Sequence, residues 1–211
     1  MNYKPIIIVA GEPYSIFLEI FFKAKKNNKF KNQILLIVSK KLLIEQMKKL
    51  GFNFKINIID KTKINFNKLD IGKINIIDVD FKFNKTFDKI SNKSNIYINN
   101  CFNIALKILK NKKCSGLING PISKKNFLKN KFLGITEYLA NKENKNNNVA
   151  MLIYNKKLSV SPITTHLPLK EVHKNLSTKK IIKHIQIINN FYRDRFKKEP
   201  KIAVTGLNPH C

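Results

Sequence analysis

The first part of the chain alternates continuous apolar runs with segments whose apolar residues recur every three or four positions. Runs that are apolar on both faces are typical of buried parallel strands, and the three- to four-residue spacing is typical of amphipathic helices. The predicted strands are "KPIIIVAGEP", "NQILLIVS", "FKINIID", "INIIDVDF" and "CSGLINGPIS". The predicted helices between them are "YSIFLEIFFKAKK", "KKLLIEQMKKLG" and "IYINNCFNIALKILKNKK". This order predicts an α/β fold, a mostly parallel sheet with flanking helices.

The later part of the chain continues the same alternation with weaker signals. Two short helices are predicted in "KKNFLKNKF" and "TEYLANKEN", and two strands in "NNVAMLIYN" and "KLSVSPITTH". A long helix, "TKKIIKHIQIINNFYRDRF", begins after a cap at Ser177 or Thr178, and "KIAVTGL" is predicted to be a strand. No linker marks an internal boundary, so residues 1–211 are treated as one α/β region.

The charge of the chain is extreme, with a formal net charge of +28. A nucleic-acid surface concentrates its charge and uses arginine for bidentate contacts. Here lysine is spread through all predicted elements and arginine is nearly absent. We therefore favour compositional drift over a nucleic-acid partner, and a basic nucleic-acid-binding module stays as the alternative.

Cysteine usage and hydropathy indicate a cytoplasmic protein. The three cysteines form no C-x-x-C pair and are odd in number, which is typical of a reducing compartment. No apolar run approaches the ~18 residues that a membrane-spanning helix needs. We therefore expect no contact with a membrane.

Two of the four histidines are candidates for a metal site. His166 follows the predicted strand "KLSVSPITT", and His210 follows "KIAVTGL", with a helix between them. A strand–helix–strand unit places its strands parallel, so both histidines would lie beyond the carboxyl ends of nearby strands, where open α/β sheets bind ligands. A third ligand would come from a carboxylate or from another subunit. The alternative is that both are ordinary surface residues, as we expect for His173 and His184.

The chain resembles the 4-hydroxythreonine-4-phosphate dehydrogenase (PdxA) family in five ordered motifs. "TTHLPL" and "GLNPH" resemble its two metal-ligand motifs, and "LINGPISK" its T-G-P-[IV]-x-K turn. "LGITEYLA" resembles G-H-T-E-[FY]-[FL], and "VAGEPYSIFLE" resembles G-[DE]-P-A-G-I-G-P-E. The resemblance implies a fold similar to the isocitrate and isopropylmalate dehydrogenases.

The same resemblance implies a function. The family oxidises 4-phosphonooxy-L-threonine with NAD and decarboxylates the product to 3-amino-2-oxopropyl phosphate in vitamin B6 biosynthesis. It works as a homodimer, and three histidines from both subunits hold a divalent metal (zinc, magnesium or cobalt). His166 and His210 match the first two of these histidines, and Thr136 matches a substrate-binding threonine. Lys124, in the "NGPISK" turn, is a candidate for binding the anionic substrate. No residue is assigned as catalytic.

Two departures from the family pattern bear on activity. Ile135 stands where the family has a substrate-binding histidine, and isoleucine donates no hydrogen bond. The family also continues well past the residue that matches His210 and carries its third metal histidine there. We therefore expect impaired turnover by this chain, with a non-catalytic remnant that has lost metal binding as the alternative.

Overall fold

The computed structural model describes residues 4–27, 32–129, 131–145 and 148–208. The chain divides into two compact units, residues 1–130 and 131–211. Each unit has its own architecture. Among the described residues, no helix combines the length and the apolar character that crossing a bilayer requires.

The first unit is built on a parallel sheet of five strands in the order β3-β4-β2-β1-β5. The strands are β1 (Ile6–Val9), β2 (Ile34–Val38), β3 (Ile56–Ile58), β4 (Ile74–Asp78) and β5 (Gly116–Asn119). All five were predicted from their apolar runs, and the mostly parallel α/β architecture is confirmed.

Three helices flank this sheet and bury its apolar residues. They are α1 (Phe17–Lys26), α2 (Lys40–Lys49) and α3 (Asn95–Lys110). Ser39 directly follows β2 and caps α2, because its hydroxyl accepts a hydrogen bond from the amide of Leu42. The central strands are apolar on both faces since helices cover both, and Leu35, Leu36 and Ile37 are fully buried.

The second unit is helical in its regular part. It contains α4 (Ile135–Lys142), the short α5 (Leu169–Val172) and α6 (Thr178–Phe196). The predicted cap of α6 is confirmed at Ser177, whose hydroxyl accepts a hydrogen bond from the amide of Lys180 at 3.3 Å. No described residue of α6 is fully buried within its unit.

The strands predicted for this second unit are largely wrong. Residues 149–166 form a single antiparallel bridge, between Ile153 and Val160, and residues 201–206 form no strand. A strand is stable only where a neighbour satisfies its ladder of hydrogen bonds and covers its side chains. Ile153 and Val160 are 58% and 55% exposed, so the apolar pattern of this segment finds neither within the described residues.

Candidate functional site

The start of helix α4 carries one of the predicted substrate-binding residues. Gly134, in extended conformation, is the N-cap residue of α4, and Thr136 is exposed in its first turn. The first amide groups of a helix have no partner within the helix and favour negative charge. An exposed hydroxyl beside such amides suits an anionic ligand.

Glu137, the next residue of α4, connects the helix to the loop that carries His166. The hydroxyl of Thr165 donates a hydrogen bond to Oε1 of Glu137 at 3.3 Å. The other oxygen, Oε2, is buried and has no hydrogen-bond partner among the described residues. A buried acceptor without a donor is costly, so this oxygen is a strong candidate for an interaction with a ligand or a mobile side chain.

Gly134 leaves room for Glu137 and His166 to face the same point. A methyl group at Gly134 would lie 3.0 Å from Oε2 of Glu137 and 3.7 Å from Nε2 of His166. Any larger residue at this position would therefore displace the carboxylate. The motifs "LGITEYLA" and "TTHLPL" thus contribute to one cluster, which we call the α4 cluster: Gly134, Thr136, Glu137, Thr165 and His166.

The backbone of His166 adopts an uncommon conformation. Five non-glycine residues in the described part of the chain have positive φ, and His166 has φ of 57°. The other four lie at the C-terminal ends of helices or of a π-helical turn, where a left-handed residue is a common cap. His166 follows no helix, so its conformation needs another cause. Strained residues of this kind concentrate at functional sites.

The predicted pairing of His166 with His210 falls partly outside the described residues, because His210 is not among them. The argument that led to the pair fails, since the described residues 157–165 and 201–207 contain no strand of a parallel sheet. Within the described ranges, no group of three or more histidine, cysteine, aspartate or glutamate residues could hold a metal ion. The pair itself stays a prediction.

Lys124 belongs to the first unit, at the carboxyl edge of its sheet. It is exposed and begins a π-helical turn, Lys124–Leu128, where a short helix was predicted. The preceding loop is held tightly to the loop after β1. A Cβ at Gly120 would lie 2.1 Å from the carbonyl oxygen of Ala10, and one at Gly11 would lie 2.4 Å from that of Pro121. Both glycines are therefore required for this approach.

Glu12 lies in the loop after β1 and is buried. Its amide donates to the carbonyl oxygen of Pro121 at 2.8 Å, and the hydroxyl of Ser94 donates to its Oε2 at 3.0 Å. Its Oε1 has no hydrogen-bond partner among the described residues. Burial raises the pKa of Glu12 above 4.5, and the Ser94 hydrogen bond opposes this only in part.

A serine–histidine pair in the second unit does not form an activated nucleophile. Nε2 of His184 lies 2.7 Å from Oγ of Ser161, while that hydroxyl donates its proton to the carbonyl oxygen of Met151. The ring must therefore donate to Oγ and cannot remove its proton. Burial, reinforced by Lys180, lowers the pKa of His184 below 6.5. The expectation that His184 is simply solvated is wrong.

Sequence reasoning assigned no role to Glu137, Gly134 or Glu12. A signal for the first two was present, because a helix often begins with a small or polar cap followed three residues later by glutamate. That pattern indicates a helix terminus but does not show which loop packs against it. The buried state of Glu12 had no signal in the sequence.

Comparison with known proteins supports the resemblance. A family-wide sequence profile described as "Pyridoxal phosphate biosynthetic protein PdxA" matches residues 30–211. A relative from Sulfurihydrogenibium sp. (strain YO3AOP1), named 4-hydroxythreonine-4-phosphate dehydrogenase, is 35% identical over 210 residues. The match covers 98% of this chain and 63% of the relative.

Two solved structures named 4-hydroxythreonine-4-phosphate dehydrogenase share the fold. The structure from Klebsiella pneumoniae matches with a TM-score of 0.80 at 23% identity, over 98% of this chain and 65% of the other. The structure from Burkholderia phymatum matches with a TM-score of 0.80 at 21% identity, over 100% of this chain and 64% of the other. The chain thus spans somewhat less than two thirds of the length of the proteins that it matches.

Proposed function

Because the chain belongs to the pyridoxal phosphate biosynthetic protein PdxA family, we propose that it serves NAD-dependent oxidation and decarboxylation of 4-phosphonooxy-L-threonine. The product would be 3-amino-2-oxopropyl phosphate, an intermediate of vitamin B6 biosynthesis. The relatives' shared name, 4-hydroxythreonine-4-phosphate dehydrogenase, supports this assignment. The proposal concerns the activity of the whole-length family enzyme, of which this chain spans about 63% in the first relative.

The observation that carries the proposal is the α4 cluster, in which two family motifs lie together. An imidazole nitrogen of His166 and a carboxylate oxygen of Glu137 lie near one point beside Gly134. Imidazole nitrogen is a ligand that suits zinc and related divalent ions, and a carboxylate beside the ring suits a group that orients it. We assign His166, with the predicted His210, to hold that ion. A bound divalent ion supplies Lewis-acid polarisation of an oxygen atom on the substrate.

The residues of the chain would bind and orient the substrate. Thr136 offers an exposed hydroxyl beside the amides at the start of α4, which favour an anionic group. Lys124 offers an exposed ammonium at the turn after β5. Both residue types suit a phosphorylated amino acid. NAD is the cofactor that this proposal assigns, following the family resemblance.

A second copy of the chain is the proposed partner. Support comes from the second unit, where α6 has no buried residue and Leu158 and Val204 are 75% and 55% exposed. Exposed apolar side chains of this kind are available to a contact with a second copy. A homodimer in which each subunit contributes to the metal site agrees with the family resemblance. The free, buried thiols of Cys101 and Cys114 support a cytoplasmic location.

The metal assignment is tested by zinc titration against a competing chelator. Wild type is compared with His166→Ala, and with His173→Ala as a matched control, because His173 is an exposed histidine of the same unit. We expect His166→Ala to weaken zinc binding at least tenfold and His173→Ala to leave it unchanged. Equal zinc affinities of wild type and His166→Ala would refute the metal site.

The reaction is tested by following NADH formation with 4-phosphonooxy-L-threonine in the presence of zinc or magnesium. Turnover that depends on both NAD and the divalent ion supports the proposal. Binding of neither NAD nor substrate, measured by calorimetry, contradicts it for this chain and favours the non-catalytic alternative.

A further inference from the structure

Glu137 contacts the residue before His166 and also lies near the ring of His166 itself. Its Oε1 accepts the hydroxyl of Thr165, the residue directly before His166. Its Oε2 is buried, lacks a hydrogen-bond partner among the described residues, and lies near the same point as Nε2 of His166. One carboxylate therefore bonds the side chain of the residue before the histidine and keeps its second oxygen close to the ring.

We propose that Glu137 is a positioning residue, whose Oε2 accepts the Nε2–H of His166 and thereby fixes the orientation and tautomer of the imidazole. A neutral histidine carries one ring proton, and the nitrogen that holds it is set by the hydrogen bond it makes. With the proton on Nε2, the lone pair of Nδ1 is left to bind a cation. Carboxylates behind ligating histidines act in this way in many metal sites.

The geometry of the cluster supports this role over simple contact. Gly134 has no side chain, so the space between the carboxylate and the ring stays open, and a methyl group would lie only 3.0 Å from Oε2. The proposed hydrogen bond requires the exposed ring of His166 to rotate about its side-chain bonds. The hydrogen bond from Thr165 fixes the carboxylate from the other side. Glu137 would then hold both the side chain of Thr165 and the ring of His166, whose backbone has φ of 57°.

A competing explanation is that Glu137 only stabilises helix α4. It is the third residue of the helix, where a carboxylate interacts favourably with the helix dipole. That role predicts lower stability in a Glu137 variant but an unchanged histidine ring. The tautomer of His166 therefore separates the two explanations, and it does so without any metal. The consequence for metal binding rests on the proposed function.

The test compares wild type with Glu137→Gln, which keeps the size of the side chain and its ability to accept from Thr165. Glu171→Gln is the matched control, since it removes the same charge from the first turn of α5 in the same unit. The tautomer is measured by long-range ¹H–¹⁵N correlation of the histidine rings, with His166→Ala to assign the signal. Zinc affinity is measured by chelator competition.

We expect the Nε2–H tautomer of His166 to dominate in wild type and in Glu171→Gln, and to lose its dominance in Glu137→Gln. We expect zinc affinity to fall about 10–100-fold in Glu137→Gln, as for other groups that orient a ligating histidine. Thr165→Val should weaken zinc binding by a smaller factor, and Thr165→Ser should restore it. The two variants Thr165→Val and Thr165→Ser also serve as the test if Glu137→Gln does not fold.

Two results are decisive. An unchanged tautomer and unchanged zinc affinity in Glu137→Gln would overturn the positioning role and leave only helix stabilisation. A changed tautomer together with equal zinc affinities of wild type and His166→Ala would support the positioning role while refuting the metal site of the proposed function.

Discussion

Asn75 is the residue whose replacement should most clearly expose how the first unit is held together. It lies in β4, is 3% exposed and is one of the few buried polar residues of the unit. Its Oδ1 accepts from Nδ2 of Asn57 and from the amide of Asp70, both at 2.8 Å. Its Nδ2 donates to the carbonyl oxygens of Asp70 and Ile34 at 2.9 and 3.2 Å. Asn75 thus joins β4 to β3, to the start of β2 and to the loop before β4.

The expected destabilisation follows from these four hydrogen bonds. Each contributes a net free energy of about 0.5–1.5 kcal/mol to folding. In Asn75→Ala, water can reach some of the freed partners at the edge of the sheet, but the carbonyl oxygen of Ile34 lies beside buried strands. We therefore expect a loss of about 3 kcal/mol, a large share of the roughly 5–15 kcal/mol that stabilises a typical domain.

Asn57→Ala is the matched control, because the side chain of Asn57 makes two hydrogen bonds to described residues, to Asn75 and to the carbonyl oxygen of Lys68. We expect it to lose about 1 kcal/mol. In the double variant the two effects should not add, and the coupling energy should be about 1 kcal/mol because the two side chains contact each other.

The assay is urea unfolding followed by far-ultraviolet circular dichroism, with the slope of the transition compared among variants to verify that the same surface is exposed. A destabilisation below about 0.5 kcal/mol in Asn75→Ala would show that its hydrogen bonds are replaced without loss, and the reasoning from the four contacts would be refuted.

Two further predictions concern Glu12 and Ile135. The folded pKa of Glu12 is raised above 4.5, so the native state binds this proton more tightly than the unfolded state, and the contribution to stability falls as pH rises from about 4.5 through the folded pKa. Glu12→Gln should remove this decline in stability. The free energy of unfolding is measured for variant and wild type between about pH 4 and 8, roughly the span in which a raised carboxyl pKa titrates. Parallel curves of stability against pH would contradict the prediction. Ile135, half-buried at the first position of α4, should give about 5–150-fold higher kcat/KM when replaced by histidine, since a restored hydrogen bond is worth about 1–3 kcal/mol. Steady-state kinetics with NADH detection measures this, with Ile135→Leu as the control, and no gain would show that the substrate makes no contact there.

The sequence predicted the first unit well because its signals are local and strong. Each run such as "ILLIV" is apolar on both faces, and a parallel sheet covered by helices buries both faces of its central strands. The capping serine of α6 was also predicted, since a cap depends on residues within one turn. The family resemblance rests on short motifs, which the comparisons support along residues 30–211.

The second unit shows where a pattern misleads. "KIAVTGL" has the composition of a strand, yet residues 201–206 form none, because strand formation depends on a neighbour that the local sequence does not specify. The reasoning that joined His166 to His210 failed for the same reason. It assumed that both histidines follow parallel strands, and in the described part of the chain the segments before them form no such strands.

By itself the sequence determined the strands of the parallel sheet, the helices that flank it and the family. It also pointed to His166 as a candidate ligand. Periodicity and short motifs carry this information because they act over a few residues. Only the tertiary structure decided that Glu137, Thr165 and His166 form one cluster beside Gly134, and that Glu12 is buried against Ser94. Those contacts join residues far apart in the chain. Their hydrogen bonds and burial depend on how whole elements pack, which no local pattern of residues records.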